Sequence, residues 1–281
     1  MIPPIYSNDK IINDEKVKKN IIILLSDETI KELNNKLTFT DHGIYIFSQY
    51  KEKRYIINGY AETIFWNMIS RLYVLLHDCG LNVLPFFLEI VQSDGKQSIK
   101  PYPVTSNDDK IQFEKAIKFV EDIKILRHSE QHNMKPDSNV DEGKIRKRKK
   151  IFCKISRKEA PETELDWEKC IQWIVSNCTN LYCLLSKRLD YLEEEATQLQ
   201  RELLVAGYYR CLSEYYNKTL NSVIAEVLRK RRRIYTESYI IASTKKYEKQ
   251  IIEKAIDLLK NSPIRVDPYK VILQAVDLCI E

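Results

Sequence analysis

The residue types best suited to chemistry in this chain lie in one short segment, RHSEQH, at positions 127–132. Arg127 is followed directly by His128, and His132 comes five positions after the arginine. A histidine can accept a proton from an RNA 2′-hydroxyl, or donate one to the departing 5′-oxygen, near neutral pH. An arginine stays charged and binds a phosphate through two parallel hydrogen bonds, which stabilises the extra charge of the transition state. These residue types suit phosphodiester cleavage in RNA without a metal, because RNA supplies its own nucleophile.

Two other interpretations of the same segment stay open. His128 and His132 stand at positions i and i+4, which is a common zinc-binding spacing on a helix. The glutamate is the second residue after His128, however, so HSEQH is not the HExxH pattern, and no third ligand is evident nearby. We therefore predict no metal. The remaining alternative is structural: the arginine and histidines satisfy polar groups at a helix end, and spacing alone does not decide between this and a function.

The segment lies at the end of a predicted helix over residues 108–131. Apolar residues recur along it at steps of three and four, namely Phe113, Ala116, Val120 and Ile123. The next step reaches Arg127, and an arginine on a buried stripe needs a partner, a ligand or a subunit contact. On a regular helix Arg127 and His132 are also about 140° apart. Both can act on one phosphate only if the helix ends or distorts there, or if two copies of the chain meet about a two-fold axis.

The rest of the chain also predicts long helices. No proline lies between Pro161 and Pro263. An apolar stripe there alternates steps of four and three through Ile171, Val175, Cys178, Tyr182, Leu185, Leu189, Leu192, Ala196, Leu199, Leu203 and Ala206. It predicts one helix over 165–206, ended or bent at Gly207, which either buries one stripe in a bundle or forms a coiled-coil seam. Further helices are predicted over 57–79, ended by Gly80, and at two or three places within 209–281. Residues 37–57 predict a small hairpin.

Basic residues are unevenly distributed in this chain of 281 residues, whose formal charge is +5. One cluster covers residues 144–158, and another covers 229–233. The polar, turn-rich stretch 133–143 predicts a loop that leads into the first cluster. Such clusters attract polyanions, and the residues we expect to bind RNA are Arg146, Lys147, Arg148, Lys149, Arg231 and Arg232. Tyrosines beside the second cluster, including Tyr235 and Tyr239, either stack on bases or belong to the core.

Composition narrows the class of protein. A content of 44% hydrophobic and 30% charged residues fits a globular protein rather than a disordered one. The seven cysteines are scattered singly, with no CxxC, which indicates neither a zinc ribbon nor a secreted disulfide framework. The first residues lack the pattern of a signal peptide, and the most apolar region, 72–91, is interrupted by polar residues and proline. We therefore expect a cytoplasmic protein with no cofactor and no membrane association.

The arrangement of an arginine, a polar residue, three residues and a histidine resembles the R-x4-6-H motif of the HEPN superfamily (higher eukaryotes and prokaryotes nucleotide-binding). The resemblance covers roughly residues 57–206. It implies an all-α fold, with an N-terminal segment over 1–55, a HEPN-like helical bundle over 56–206 and a C-terminal helical extension over 207–281. It further implies a homodimer with a composite site and a metal-independent endoribonuclease activity. Arg127 and His132 inherit the catalytic roles, and His128 the polar second position.

Three functions follow from these patterns. HEPN proteins act as toxins, abortive-infection and antiphage effectors, and as nucleases of RNA-guided systems, so the first is a dimeric ribonuclease of this kind. Its partners are RNA and an antitoxin, guide RNA or activating protein. The second is a non-catalytic RNA-binding or scaffold protein of the same helical type. The third is a purely structural helical oligomer. Incubation of the protein with labelled RNA in EDTA distinguishes the three. Cleavage supports the first function, retention without cleavage supports the second, and the absence of both supports the third.

Overall fold

Helices dominate the computed structural model, which describes residues 27–36, 44–48, 59–80, 83–88, 107–131, 139–231, 235–262 and 266–280. None of these residues lies in a strand, so the described part of the chain is all-α, as predicted. Residues 44–48, which belong to the expected hairpin, are held by the Asn34 side chain instead. Its amide donates to the Phe47 carbonyl at 2.9 Å, and its oxygen accepts from the Ile46 and Phe47 amides. The other residues of that hairpin lie outside the described ranges.

The helices are, in chain order, α1 (Asp27–Asn35), α2 (Ala61–Tyr73), α3 (Leu84–Leu88), α4 (Asn107–Gln131), α5 (Asn139–Ser156), α6 (Glu164–Glu194), α7 (Gln198–Lys230), α8 (Glu237–Lys260) and α9 (Pro268–Cys279). The predicted helix over 108–131 is confirmed as α4. The predicted helix over 57–79 is confirmed as α2 followed by a π-helical turn, Val74–Asp78, just before Gly80. Gly80 packs closely on this turn, since a Cβ at position 80 would lie 2.6 Å from the Leu76 carbonyl oxygen.

The prediction of one continuous helix over 165–206 was wrong. The chain leaves the helix at residues 195–197, and Thr197 starts α7 with a capping box. The Thr197 hydroxyl accepts from the Gln200 amide at 3.3 Å, while the Gln200 side chain accepts from the Thr197 amide at 2.8 Å. The buried stripe changes register there, because Leu199 is 59% exposed and Leu204 is fully buried. Gly207 lies inside α7, and the unbroken seam of a coiled coil does not exist.

The prediction of a loop over 133–143 was also wrong for its last residues. Helix α5 begins at Asn139, and residues 132–138 lie outside the described ranges. Glu142 falls in the first turn of α5, where negative charge complements the helix dipole. The first basic cluster is therefore largely helical, with defined directions for its side chains.

The described residues form two compact units. The first contains residues 27–29, 59–74, 115–131 and 139–182, and the second contains the remaining described residues. The boundaries expected from the sequence, at 55/56 and 206/207, do not coincide with this division. The core of the first unit brings α2, α5 and α6 together through four aromatic rings whose centroids are 5.0–6.3 Å apart: Phe65, Trp66, Phe152 and Trp167. The same unit contains the part of α4 that carries the motif.

The second unit is built around α7, α8 and α9. Its core includes Tyr208, Leu212, Tyr216 and Leu220, all fully buried. The Tyr216 hydroxyl satisfies its hydrogen-bonding need by donating to the Pro268 carbonyl at 2.6 Å. Asp267 caps α9 by accepting from the Tyr269 amide at 2.9 Å. The predicted helices after residue 209 are thus confirmed.

Candidate functional site

Helix α4 carries the motif on its last turns. Phe113, Ala116, Val120 and Ile123 are all buried, as the periodicity predicted. Arg127 comes next on this stripe, and its side chain remains 21% exposed. Its Nη1 donates to the Glu130 carboxylate at 2.7 Å. The partner that a partly buried arginine requires is therefore present one turn along the same helix.

This ion pair leaves most of the Arg127 guanidinium for other contacts. Partly exposed pairs at i and i+3 contribute about 0.2–0.5 kcal/mol. A guanidinium has five N–H donors, and only one nitrogen atom of Arg127, Nη1, donates to Glu130. A phosphate needs only to displace or share a weak contact in order to bind Arg127. The pair is compatible with a phosphate-binding role and weakens it slightly.

His128 packs against α2. Its ring centroid lies 5.6 Å from that of Tyr73, with the ring planes inclined at 57°. The Tyr73 hydroxyl lies 3.5 Å from the His128 Nε2, at the outer limit of a hydrogen bond. Tyr73 was not among the residues that the sequence singled out. It immediately follows the buried Leu72, and no pattern in the sequence indicates that the end of α2 meets the end of α4.

His132 lies outside the described residues. The structure follows α4 as a helix through Gln131. The relative positions of Arg127 and His132, including their expected separation of about 140° around a helix, stay a prediction.

Arg148 joins α5 to the last turn of α4. Its Nη1 donates to the Ser129 carbonyl at 3.5 Å. Ser129 itself is buried, and its hydroxyl donates to the Leu126 carbonyl at 2.8 Å. The last carbonyls of a helix lack intrahelical partners and favour a positive charge nearby. Arg148, which we expected to bind RNA, thus contacts the backbone of the motif itself.

The other basic residues of α5 fall on different sides of the helix. Lys149 pairs with Glu159 at 2.6 Å. Four further cations are exposed and cover an arc of about 100°, which we call the cationic face: Arg146, Lys147, Lys150 and Lys154. None of the four forms an ion pair within the described part of the chain. They are positioned to contact a polyanion.

The second basic cluster is divided in the same way. The Arg231 guanidinium donates to the Asp277 carboxylate at 2.8 and 3.0 Å and to the Ile280 carbonyl at 2.6 Å. It therefore holds the end of α9, and we no longer include it among the residues expected to bind RNA. Arg232 lies outside the described residues. Arg229 and Lys230, which precede them on α7, are exposed.

Candidate metal ligands and cysteine thiols are the other reactive side chains of the described residues. No three of their histidine, cysteine, aspartate and glutamate side chains are grouped so as to hold a metal ion. All seven cysteines are free thiols. Burial raises the pKa of Cys79, Cys170 and Cys178 to about 12, which suits a core residue rather than a nucleophile. Nor does any helix in the described ranges have the length and apolar character to cross a bilayer.

No protein family, characterised protein or solved structure matches this chain in a comparison of sequence or fold. The inference of function therefore depends on the motif, on the residues that contact it and on the charge of α5.

Proposed function

We propose that this protein is a metal-independent endoribonuclease of the HEPN type that acts as a toxin or antiphage defence effector. One observation supports it above the others. Arg127 and His128 stand together on the last turns of α4 with partly exposed side chains, and α5, which contacts that turn through Arg148, carries the cationic face. An antitoxin, a guide RNA or an activating protein would keep such an enzyme under control.

The proposed reaction divides the work between an arginine and a histidine. Arg127 binds the scissile phosphate, and the RNA 2′-oxygen attacks phosphorus while the bond to the 5′-oxygen breaks. His132 moves the proton that leaves the 2′-hydroxyl or reaches the departing 5′-oxygen. The products are a 2′,3′-cyclic phosphate and a 5′-hydroxyl. His128, whose ring packs on Tyr73, contacts or orients the RNA rather than transferring the proton.

Variants of the motif test this proposal. Arg127→Ala and His132→Ala should each lower the cleavage rate by about 10²–10⁴-fold, and His128→Ala should lower it less. EDTA should not inhibit, and DNA should survive, because it lacks the 2′-hydroxyl. Cleavage that persists in His132→Ala, or that requires added zinc or magnesium, would overturn the assignment. The second result would instead support a metal site at His128 and His132.

We further propose that the active form is a homodimer with its two motifs in one cleft. The reason is geometric, since Arg127 and His132 of one regular helix point in different directions. Light scattering should show a dimer at micromolar concentration. Mixing Arg127→Ala with His132→Ala protein should restore part of the activity if the two residues of one site come from different chains. A monomer that cleaves RNA would contradict the composite site.

The cationic face is proposed to bind the phosphate backbone without reading sequence. Lys150→Gln with Lys154→Gln should weaken binding to all single strands alike and reduce the salt slope by about 1.4, or 0.7 for each phosphate that the lysines no longer neutralise. Lys115→Gln with Lys124→Gln removes the same charge from exposed positions on α4 and serves as the control. Loss of affinity for only one sequence would show that the lysines contact bases.

A non-catalytic RNA-binding or scaffold protein is the second candidate. The observation in its favour is that the cationic face does not depend on the motif, while Arg127 already has a partner in Glu130. Retention of labelled RNA without cleavage, unchanged by Arg127→Ala and His132→Ala, would establish this candidate and remove the first.

A further inference from the structure

The tyrosines around the second basic cluster separate into two groups. Tyr208, Tyr209 and Tyr216 on α7 are buried, with exposed fractions of 0–5%. Tyr215 is mostly buried as well, and its burial raises the pKa of its hydroxyl to about 12. These residues form the core of the second unit. Their side chains are not accessible to a large ligand.

Tyr235 and Tyr239 differ from this group. Their ring centroids lie 4.7 Å apart with the planes inclined at 31°, and the Tyr239 side chain is 39% exposed. The Thr236 cap fixes the backbone between them, since its hydroxyl accepts from the Tyr239 amide at 3.3 Å. A hydrophobic staple would pair the residue before the cap with Ile240, the fourth helical residue. Here the ring pair forms instead with the third residue, which is exposed.

Exposed basic residues lie near this ring pair in the sequence. Arg229 and Lys230 are exposed at the end of α7, six and five residues before Tyr235. Lys246 lies on the same face of α8 as Tyr239, two turns or about 10 Å further on. Glu226 pairs with Lys230 at 2.7 Å, and Glu237, which lies between the two tyrosines in sequence, is exposed. The cations among these sequence neighbours of the exposed Tyr239 therefore outnumber the carboxylates.

We propose that Tyr235 and Tyr239 form a stacking platform for an unpaired base of single-stranded RNA, with Arg229 and Lys246 contacting its phosphates. An exposed ring offers a π-face to any base, and flanking cations hold the backbone without choosing sequence. The capped helix start preorganises the two rings, which lowers the entropy cost of binding. The proposal rests on the proposed RNA substrate but not on catalysis. The substrate class is then single-stranded rather than duplex RNA.

Binding of a non-cleavable strand tests the platform in the full-length protein. The probe is a dye-labelled oligouridylate with methylated 2′-hydroxyls, measured by fluorescence anisotropy beside a methylated duplex of equal length. Tyr235→Leu with Tyr239→Leu should weaken single-strand binding by roughly tenfold or more and leave duplex binding and the salt slope unchanged. The corresponding phenylalanine variants should bind as the wild type does. Tyr60→Leu, which removes a tyrosine that is 51% exposed in the other unit, is the matched control.

Unchanged affinity in the leucine variant, or equal losses for single strand and duplex, would overturn the platform and leave the ring pair as a contact that orders the start of α8. Because a methylated strand resists 2′-hydroxyl attack, the result is independent of cleavage. If the leucine variant loses only single-strand binding and the wild-type protein does not cleave RNA, the platform is supported and the nuclease activity is contradicted. If the protein cleaves RNA and the leucine variant binds the single strand as tightly as the wild type, only the platform is contradicted.

Discussion

Neutralising Glu130 should increase the affinity of the motif for RNA. The carboxylate accepts from Arg127 Nη1 at 2.7 Å, and the two side chains are 32% and 21% exposed. A phosphate that displaces Glu130 from Arg127 loses about 0.2–0.5 kcal/mol of binding free energy, because this ion pair must first be broken. The carboxylate also repels a phosphate held about 6 Å away by about 0.7 kcal/mol in a medium like water. Glu130→Gln removes both effects, so RNA should bind about fivefold more tightly, since 1.4 kcal/mol corresponds to tenfold.

The measurement is the dissociation constant of a non-cleavable single strand at low salt, repeated at physiological salt, where screening should reduce the gain. Glu121→Gln is the matched control, because it removes the same charge from the same helix. Glu121 interacts with Lys118 at 3.6 Å and lies about 9 Å along the axis from Arg127, beyond the Debye length of about 8 Å at physiological salt. Equal gains in the two variants, or weaker binding by Glu130→Gln, would refute the view that Glu130 competes with RNA for Arg127.

Three further predictions concern stability. Thr197→Ala removes the cap of α7 and should cost about 0.5–2 kcal/mol, seen as a lower Tm than in Thr179→Ala, whose hydroxyl only bonds within α6. Phe152→Ala should cost about 3–5 kcal/mol in urea unfolding, because its ring is 2% exposed; a destabilisation below about 1 kcal/mol would contradict the packing of the aromatic cluster. Hydrogen bonds from Lys158 and then Thr163 hold the pKa of Asp166 well below its usual range. The contribution of ionised Asp166 to stability should be complete above the unfolded pKa of about 3.9 and be lost as pH falls toward the lowered pKa of the folded state. Asp166→Asn should therefore reduce the decrease in Tm that the wild type shows as pH is lowered through this range.

Local sequence patterns predicted most of the helices because burial imposes a period close to 3.6 on them. This is why α4 agrees with its prediction from end to end. The break before Thr197 was not predicted, because apolar residues recur at similar steps on both sides of it. The T-x-x-Q pattern of Thr197 and Gln200 is a capping signature that could have indicated it. The start of α5 was missed because Asn139, Asp141 and Gly143 favour turns. In the structure Glu142 of that stretch lies in the first turn of a helix instead.

The contacts of the candidate site could be predicted only in part. The types and spacing of Arg127, His128 and His132 identify the segment, and periodicity places it at a helix end. Tyr73 meets His128 across 55 residues of sequence, and Arg148 meets Ser129 across 19. Such contacts depend on how α2, α4 and α5 pack, and α2 packs on α5 through aromatic rings that are far apart in sequence. No local period records it.

The π-helical turn at Val74–Asp78 links two kinds of sequence change, a deletion within the turn and a substitution of Gly80. A π turn contains one residue more than an α turn, so deletion of one residue there allows the turn to rewind as an α-helix. With the π turn in place, replacement of Gly80 is unfavourable, because a Cβ would lie 2.6 Å from the Leu76 carbonyl oxygen. A larger residue at position 80 requires that carbonyl to move. In natural variants, substitution of Gly80 should therefore accompany a one-residue deletion within 74–78, and chains that keep the full length of the turn should keep the glycine.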